Sequence, residues 1–193
     1  MQIVRSILSD YLLIFPDEWE QLTQLNGLID SSFSDSELFS RQNFIGHITA
    51  SGFVISRSKS KVLLIYHKTL CKFLQPGGHI EAEENSPLEA ALREVKEETS
   101  ITALKYLPLN SKNEVPIDID THLIPENNSK NEPTHWHHDF RYLFICNNEN
   151  QEVTIDKSES IEYQWIDIKE IQRMNSFFKV AEKIKKAMEK GMF

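Results

Sequence analysis

The sequence predicts an α/β domain behind an N-terminal helical extension, and three observations predict it. Two short, apolar, β-rich runs, HITASGFVIS and KVLLIYHK, flank a polar turn. A glycine turn, QPGGHIE, then leads into a segment with a full set of helix start signals. Before about residue 41 the apolar positions follow a helical and not an alternating period.

In the leading segment, residues 2 to about 40 read as helical. Trp19, Leu22, Leu25 and Leu28 recur at helical spacing, and Asp17, just after Pro16, is the expected cap of a second helix. So short a stretch buries little by itself, so residues 1–41 are expected to pack on a domain formed by residues 42–193. From His47 the two β-rich runs read as a hairpin closed by SRSKS. A helix is expected from about Pro87 to Thr99, with Ser86 as N-cap, Pro87 in the first helical position and Glu89 completing a capping box. Residues 111–134 are polar, contain prolines and end in ENNSKNEPT, and read as a long surface loop. HHDFRYLFIC reads as a strand, and EYQWIDIKEI as a strand running into a turn and helix. The tail from about Phe177 to Met188 reads as an amphipathic helix with a solvated lysine face. There is no internal repeat.

Composition bounds the function. Of the 193 residues 40% are apolar and 26% charged, which is globular usage. A formal charge of -8 without a basic stripe argues against a nucleic-acid partner. Cys71 and Cys146 form no CxxC pattern, so a reducing compartment, the cytoplasm, is expected. Asp10 interrupts the first apolar run, which does not read as a signal peptide, and no run approaches the roughly 18 apolar residues of a membrane span. A homo-oligomer is compatible with the sequence and not required by it.

The helix carries the chemistry. Leu88, Ala91, Leu92 and Val95 recur at i, i+3, i+4 and i+7 and form its core face. Glu94, Glu97 and Glu98 share a flanking arc, where like charges repel by a few tenths of a kcal/mol per pair. Hard divalent cations offset such repulsion with oxygen ligands. Arg93, four residues from both Glu89 and Glu97, is placed to orient a carboxylate. A solvated glutamate face is the bland alternative, and the glycine turn upstream speaks against it.

The segment GGHIEAEENSPLEAALREVKEETSI resembles the Nudix box, in which a glycine is followed after five residues by a glutamate, then after seven by R-E-U-x-E-E-x-G-U, with U aliphatic. Gly78, Glu84, Arg93, Glu94, Val95, Glu97, Glu98 and Ile101 match. Two departures stand out: eight residues separate Glu84 from Arg93, which makes Glu83 a rival for the place of Glu84, and Ser100 replaces the final glycine. The resemblance implies a Nudix-type α/β/α sandwich around a mixed sheet over residues 44–175. It also implies hydrolysis of a diphosphate bond in a small nucleotide-like substrate, with two or three Mg²⁺ or Mn²⁺ ions. Glu94, Glu97 and Glu98 would be the ligands, a main-chain carbonyl of Gly77 or Gly78 would complete a metal site, and Arg93 would orient the glutamates.

A second constellation is THWHHDFRYLF. Alternation puts His135, His137, Asp139 and Arg141 on one strand face and Trp136, His138, Phe140, Tyr142 and Phe144 on the other. The polar set is expected to face the same cleft as the glutamates and to bind substrate or an extra ion; a solvated polar face is the alternative. Together with VPIDIDTHLIP, HITASGFVIS and FLQPGGHIE, it resembles a bacterial Nudix subgroup with an H-x-H-x-D-x-R-Y strand. Pro116, fifteen residues beyond Ile101, matches a position found in ADP-ribose-cleaving members. Two rivals remain: a catalytically silent nucleotide-binding Nudix module, which usually loses box carboxylates, and a diphosphate isomerase of the isopentenyl-diphosphate type, which needs a cysteine in the pocket.

Overall fold

Ten consecutive buried residues make β1 (Gly46–Ile55) the centre of a mixed sheet in the computed structural model, which describes residues 3–31, 33–110, 114–148 and 151–192. One side of β1 runs parallel to β7 (His135–Cys146), from Gly46 opposite Trp136 to Ile55 opposite Ile145. Its other side pairs antiparallel with β2 (Lys61–His67) at Val54 and Ile55, and with β4 (Gly77–His79) from Thr49 to Ser51. The expected hairpin is therefore present. β2 also carries β3 (Lys72–Leu74) and β8 (Ser160–Asp167), while β7 carries β5 (Leu104–Tyr106) and β6 (Asp118–Ile124).

β6 corrects the expectation of a loop over residues 111–134. Val115, Ile117 and Ile119 are buried, and the alternating aspartates Asp118 and Asp120 turn to the opposite side, where Arg141 meets them. The polar half of an alternating strand was thus mistaken for loop chemistry. Residues 111–113 lie outside the described residues.

Helices cover both faces. α4 (Pro87–Thr99) lies on the face of Ile48, Ala50 and Gly52: a Cβ on Gly52 would sit 2.4 Å from Val95 Cγ2 and 2.8 Å from Phe144 Cε2. On the other face Phe53 meets Phe177 edge-on at 5.9 Å, just before α6 (Phe178–Glu189), whose Val180, Ala181 and Ile184 are buried. This is the expected α/β/α arrangement, and no helix among the described residues is long and apolar enough to cross a membrane.

The N-terminal segment forms α1 (Ile3–Ile14), a 3-10 helix (Pro16–Leu22), α2 (Thr23–Asp30) and α3 (Asp35–Phe39). Asp17 does not cap: the N-cap position is Phe15, without a side-chain bond, and Asp17 lies inside the first 3-10 turn. Trp19 is exposed, so the buried stripe begins only at Leu22 and continues through Leu25 and Leu28. The start of α1 is capped from afar, with the Asp35 carboxylate accepting from Ile3 N at 2.7 Å and Val4 N at 3.2 Å. The Tyr11 hydroxyl accepts from Ile119 N at 3.2 Å and from Lys183 Nζ at 2.6 Å, and Lys183 also pairs with Glu18 and Asp118. Lys183 is only 8% exposed.

Two outcomes are expected. Gly52→Ala forces a methyl between α4 and β7 and should lower stability by about 1–3 kcal/mol, read as a lower urea midpoint at unchanged m; a parent-like midpoint would contradict the seating of α4. We propose the division at residue 41 on these contacts. Deleting residues 1–41 strips Lys183 of Tyr11 and Glu18, so the shortened chain should melt well below the parent; an unchanged melting temperature would make the extension dispensable.

Candidate active site

Local sequence starts α4 and stops it. The Ser86 side chain accepts from Glu89 N at 3.4 Å, and Pro87 takes a position whose N–H would be unpartnered. Glu89 returns to Asn85 N at 2.8 Å and not to Ser86, so the capping box closes one residue early. Ser100 ends the helix at φ 58°, in the left-handed region that favours glycine, at a cost of about 1 kcal/mol. Of the expected core face, Ala91 and Val95 are buried and Leu88 and Leu92 partly so; Ala90, Glu98 and Thr99 join the buried side.

The three glutamates differ in environment. Glu98 is 4% exposed, and its Oε1 accepts from Gly77 N at 2.8 Å. Burial pushes its carboxyl up to about 8; the Gly77 N–H opposes this, and the charges of Glu94, Glu159 and Asp156 add to it. Glu94 is raised for the same first reason, burial, against the pull of Arg93. A Cβ on Gly78 would sit 2.3 Å from Glu94 Oε1, so only glycine allows this approach. Glu97 is largely exposed.

Arg93 ties the set together. It grips Glu84 through Nε at 2.9 Å and Nη2 at 3.1 Å, reaches Glu94 and Glu97 through Nη1 at 2.9 Å each, and donates to the His79 carbonyl at 2.8 Å. Glu89 is not among its partners, since it caps the helix. The pairing selects Glu84 over Glu83. The extra residue is absorbed in a turn where Glu81 N donates to Glu84 Oε2 at 2.8 Å and Glu84 N to Glu81 O at 3.1 Å. Glu159 and Asp156, whose charges act on Glu98, come from the chain before β8. No spacing in the sequence links them to the box.

The histidine strand is arranged differently from the expectation. Alternation holds, but β1 is buried on both faces, and His135, His137, Asp139 and Arg141 lie on the side opposite α4. The two sets thus occupy opposite faces, linked at the β4 edge: Asp139 accepts from Gln75 Nε2 at 3.1 Å, and Gly77, two residues on, bonds Glu98. Asp139 also accepts from Ser51 Oγ at 2.7 Å and Arg141 Nε at 3.2 Å, and Arg141 pairs with Asp118 at 3.1 Å and Asp120 at 3.0 Å. Asp139 and Arg141 therefore bond each other and their neighbours.

Two histidines that sequence reasoning missed join them. His47 is opposite His137 in the β1–β7 register, and His79 is opposite Thr49 in β4. The ring centres of His47 and His137 are 4.5 Å apart, of His47 and His79 5.2 Å, and of His79 and His137 5.4 Å. Burial, reinforced by the neighbouring imidazoles, lowers His47 and His79 to about 4 and His137 to about 2, so all three are neutral at pH 7. A cleft of about 940 Å³ with Lys59, Asp167, Arg173 and Lys185 on its walls is lined by none of these residues.

Comparison with known proteins agrees with this geometry. A family model described as the NUDIX domain matches residues 46–189. A protein of Lactococcus lactis subsp. cremoris named "Probable DHNTP pyrophosphohydrolase" is 33% identical over 141 residues, spanning 73% of this chain and 78% of its own. The crystal structure of a NUDIX-family hydrolase from Clostridium perfringens is 28% identical at a TM-score of 0.54, covering 72% of this chain and 96% of that one. The E. coli dihydroneopterin triphosphate pyrophosphohydrolase shares the fold, with a TM-score of 0.54 at 16% identity over 72% of this chain and 92% of its own.

The raised Glu98 carboxyl has a pH signature. The native state keeps a proton that the unfolded chain releases from its ordinary value of 4.5 upward, so stability falls with pH between 4.5 and about 8. In chelator, Glu98→Gln should match the parent near the low end and exceed it above the high end by an amount on the order of a few kcal/mol. Thermal melts across pH check this; a parent that gains on the variant as pH rises would contradict it.

Proposed function

Since the chain belongs to the Nudix hydrolase family, we propose that it is a metal-dependent pyrophosphohydrolase cleaving the diphosphate bond of a small nucleotide-like substrate. The observation that carries the metal requirement is the burial of Glu94 and Glu98 against Gly77 and Gly78, with Glu159 and Asp156 adding negative charge. Arg93 offsets part of that charge, and an oxygen-rich donor set with charge left over suits hard divalent cations.

When bound, Mg²⁺ or Mn²⁺ would neutralise phosphate oxygens and increase the acidity of the attacking water. Glu94, Glu97 and Glu98 are the proposed ligands for two or three such ions, with a Gly77 or Gly78 carbonyl beside them. Arg93 holds the carboxylates in place through Glu84 and the His79 carbonyl. One of these glutamates, or a loop carboxylate such as Glu159, whose charge acts on Glu94 and Glu98, is proposed to take the proton of the attacking water.

The substrate class is proposed as a heterocycle joined through a sugar or short linker to a diphosphate or longer phosphate chain. Pro116 supports an ADP-ribose-like member, and the Lactococcus relative supports dihydroneopterin triphosphate. The acidic surface and unpaired cysteines suit a cytoplasmic protein without a nucleic-acid partner. The silent-module reading is disfavoured because the box carboxylates are retained. The isomerase reading lacks its thiol: Cys71 donates to the Lys68 carbonyl in the turn after β2, and Cys146 to the Asn148 carbonyl at the end of β7.

Release of a phosphorylated product from a panel of nucleotide diphosphates, ADP-ribose and dihydroneopterin triphosphate should require Mg²⁺ or Mn²⁺ and stop with EDTA. Glu98→Gln and Glu94→Gln should lower kcat on the order of a hundredfold or more, while Glu89→Gln should cost at most about 1 kcal/mol of stability and little activity. Tight binding without turnover would favour the silent module. Full activity of Glu98→Gln would misplace the site.

A further inference from the structure

We propose that His47, His79 and His137 form a transition-metal site for zinc or a zinc-like divalent ion, on the sheet face opposite α4. One ligand nitrogen from each lies within 4.8 Å of those of the other two. Each comes from a different strand, β1, β4 and β7, so the sheet and not a loop holds the set.

His47 carries the argument. It is 1% exposed, yet its Nε2 has no hydrogen-bond partner among the described residues. Its Nδ1 lies 3.3 Å from the Asn43 carbonyl, which places the ring proton on Nδ1 and leaves a bare lone pair on Nε2. A buried acceptor left so keeps its desolvation cost uncompensated. A ligating histidine has this arrangement, with one nitrogen held by a backbone carbonyl and the other aimed at an ion.

The neighbours extend it. His135 repeats the pattern, with Nδ1 2.7 Å from the Pro133 carbonyl and Nε2 3.2 Å from His137 Nε2. Two nitrogens on one tetrahedral zinc stand roughly 3.3 Å apart, given Zn–N distances of about 2.0–2.1 Å. His135 lies outside the three-histidine set and acts as a positioning residue for His137, whose ring it contacts. A ligating imidazole is neutral, and neutral imidazole selects zinc, copper or nickel and not the magnesium that suits the glutamates. His122, bonded to Asp120 at 2.8 Å, stands beside the set, its ring centre 5.8 Å from that of His137. His79 and His137 are only half-buried, which leaves an approach for the ion and an open position for water or a ligand oxygen.

The test uses the untagged full chain after chelation and dialysis, titrated with Co²⁺ in excess Mg²⁺ and followed by visible d–d absorption. Zn²⁺ competition against a chromophoric chelator gives the affinity. The expected result is saturation at one ion per chain, unchanged in Glu94→Gln/Glu98→Gln and weakened on the order of a hundredfold in His137→Ala. Circular dichroism checks the fold of each variant; should His137→Ala not fold, the half-exposed His79→Gln carries the same expectation. Absence of saturable binding, binding unaffected in the histidine variants, or binding lost only with the glutamates would each overturn the site. Because the readout is ion binding and not turnover, its failure is distinct from failure of the hydrolase reading.

Discussion

The parallel pairing of β1 with β7 is the constraint on which the rest depends. Gly46 to Ile55 and Trp136 to Ile145 are matched without a break, and almost every residue in both strands is buried or nearly so. A slip of one residue would turn His137, Asp139 and Arg141 into the apolar layer under α4 and send Phe140, Tyr142 and Phe144 the other way. The register therefore decides which groups meet which face. It also sets the rows: His47 beside His137, Thr49 beside Asp139, Ser51 beside Arg141.

Each face carries a buried charge system organised by an arginine. Arg93 gathers Glu84, Glu94 and Glu97 on the α4 side, and Arg141 gathers Asp118, Asp120 and Asp139 on the other. The planar guanidinium presents several donors in fixed directions, which lysine would not reproduce. Such pairs contribute more to a single arrangement than to stability, since desolvation offsets much of the attraction. The difference lies in what remains. Around α4, Glu98 stays buried without a cationic partner among the described residues, held by a backbone N–H. On the other side, Lys183 adds a second cation, and the acids there are matched within the protein.

The N-terminal extension enters this balance through single polar contacts and not only by covering apolar surface. Glu18 and Tyr11 supply two of the partners of Lys183, whose third, Asp118, belongs to the sheet. A buried ammonium so placed links three parts of the chain that are far apart in sequence. It makes the extension part of the electrostatics of the β6–β7 edge.

Local chemistry was readable in the sequence because it acts over a few residues. The start of α4 at Pro87, its end at Thr99, the Nudix-like glutamates and the strand-face alternation of His135 to Arg141 all follow from caps, helical period and strand period. Non-local pairing was not readable in this way. β6 was hidden because its polar residues find partners only across the sheet, and Asp17 failed as a cap because the chain there tightens into a 3-10 turn. The charge of Glu159 acts on Glu98 from about sixty residues away, and His47 and His137 meet across ninety residues of sequence. The family, the glutamate-bearing helix and the residues that share a strand face were legible in the chain alone. That the glutamates and the histidines stand on opposite faces, and which histidines converge, came from long-range pairing, because strand register depends on burial and pairing summed over the whole sheet and not on any local signal.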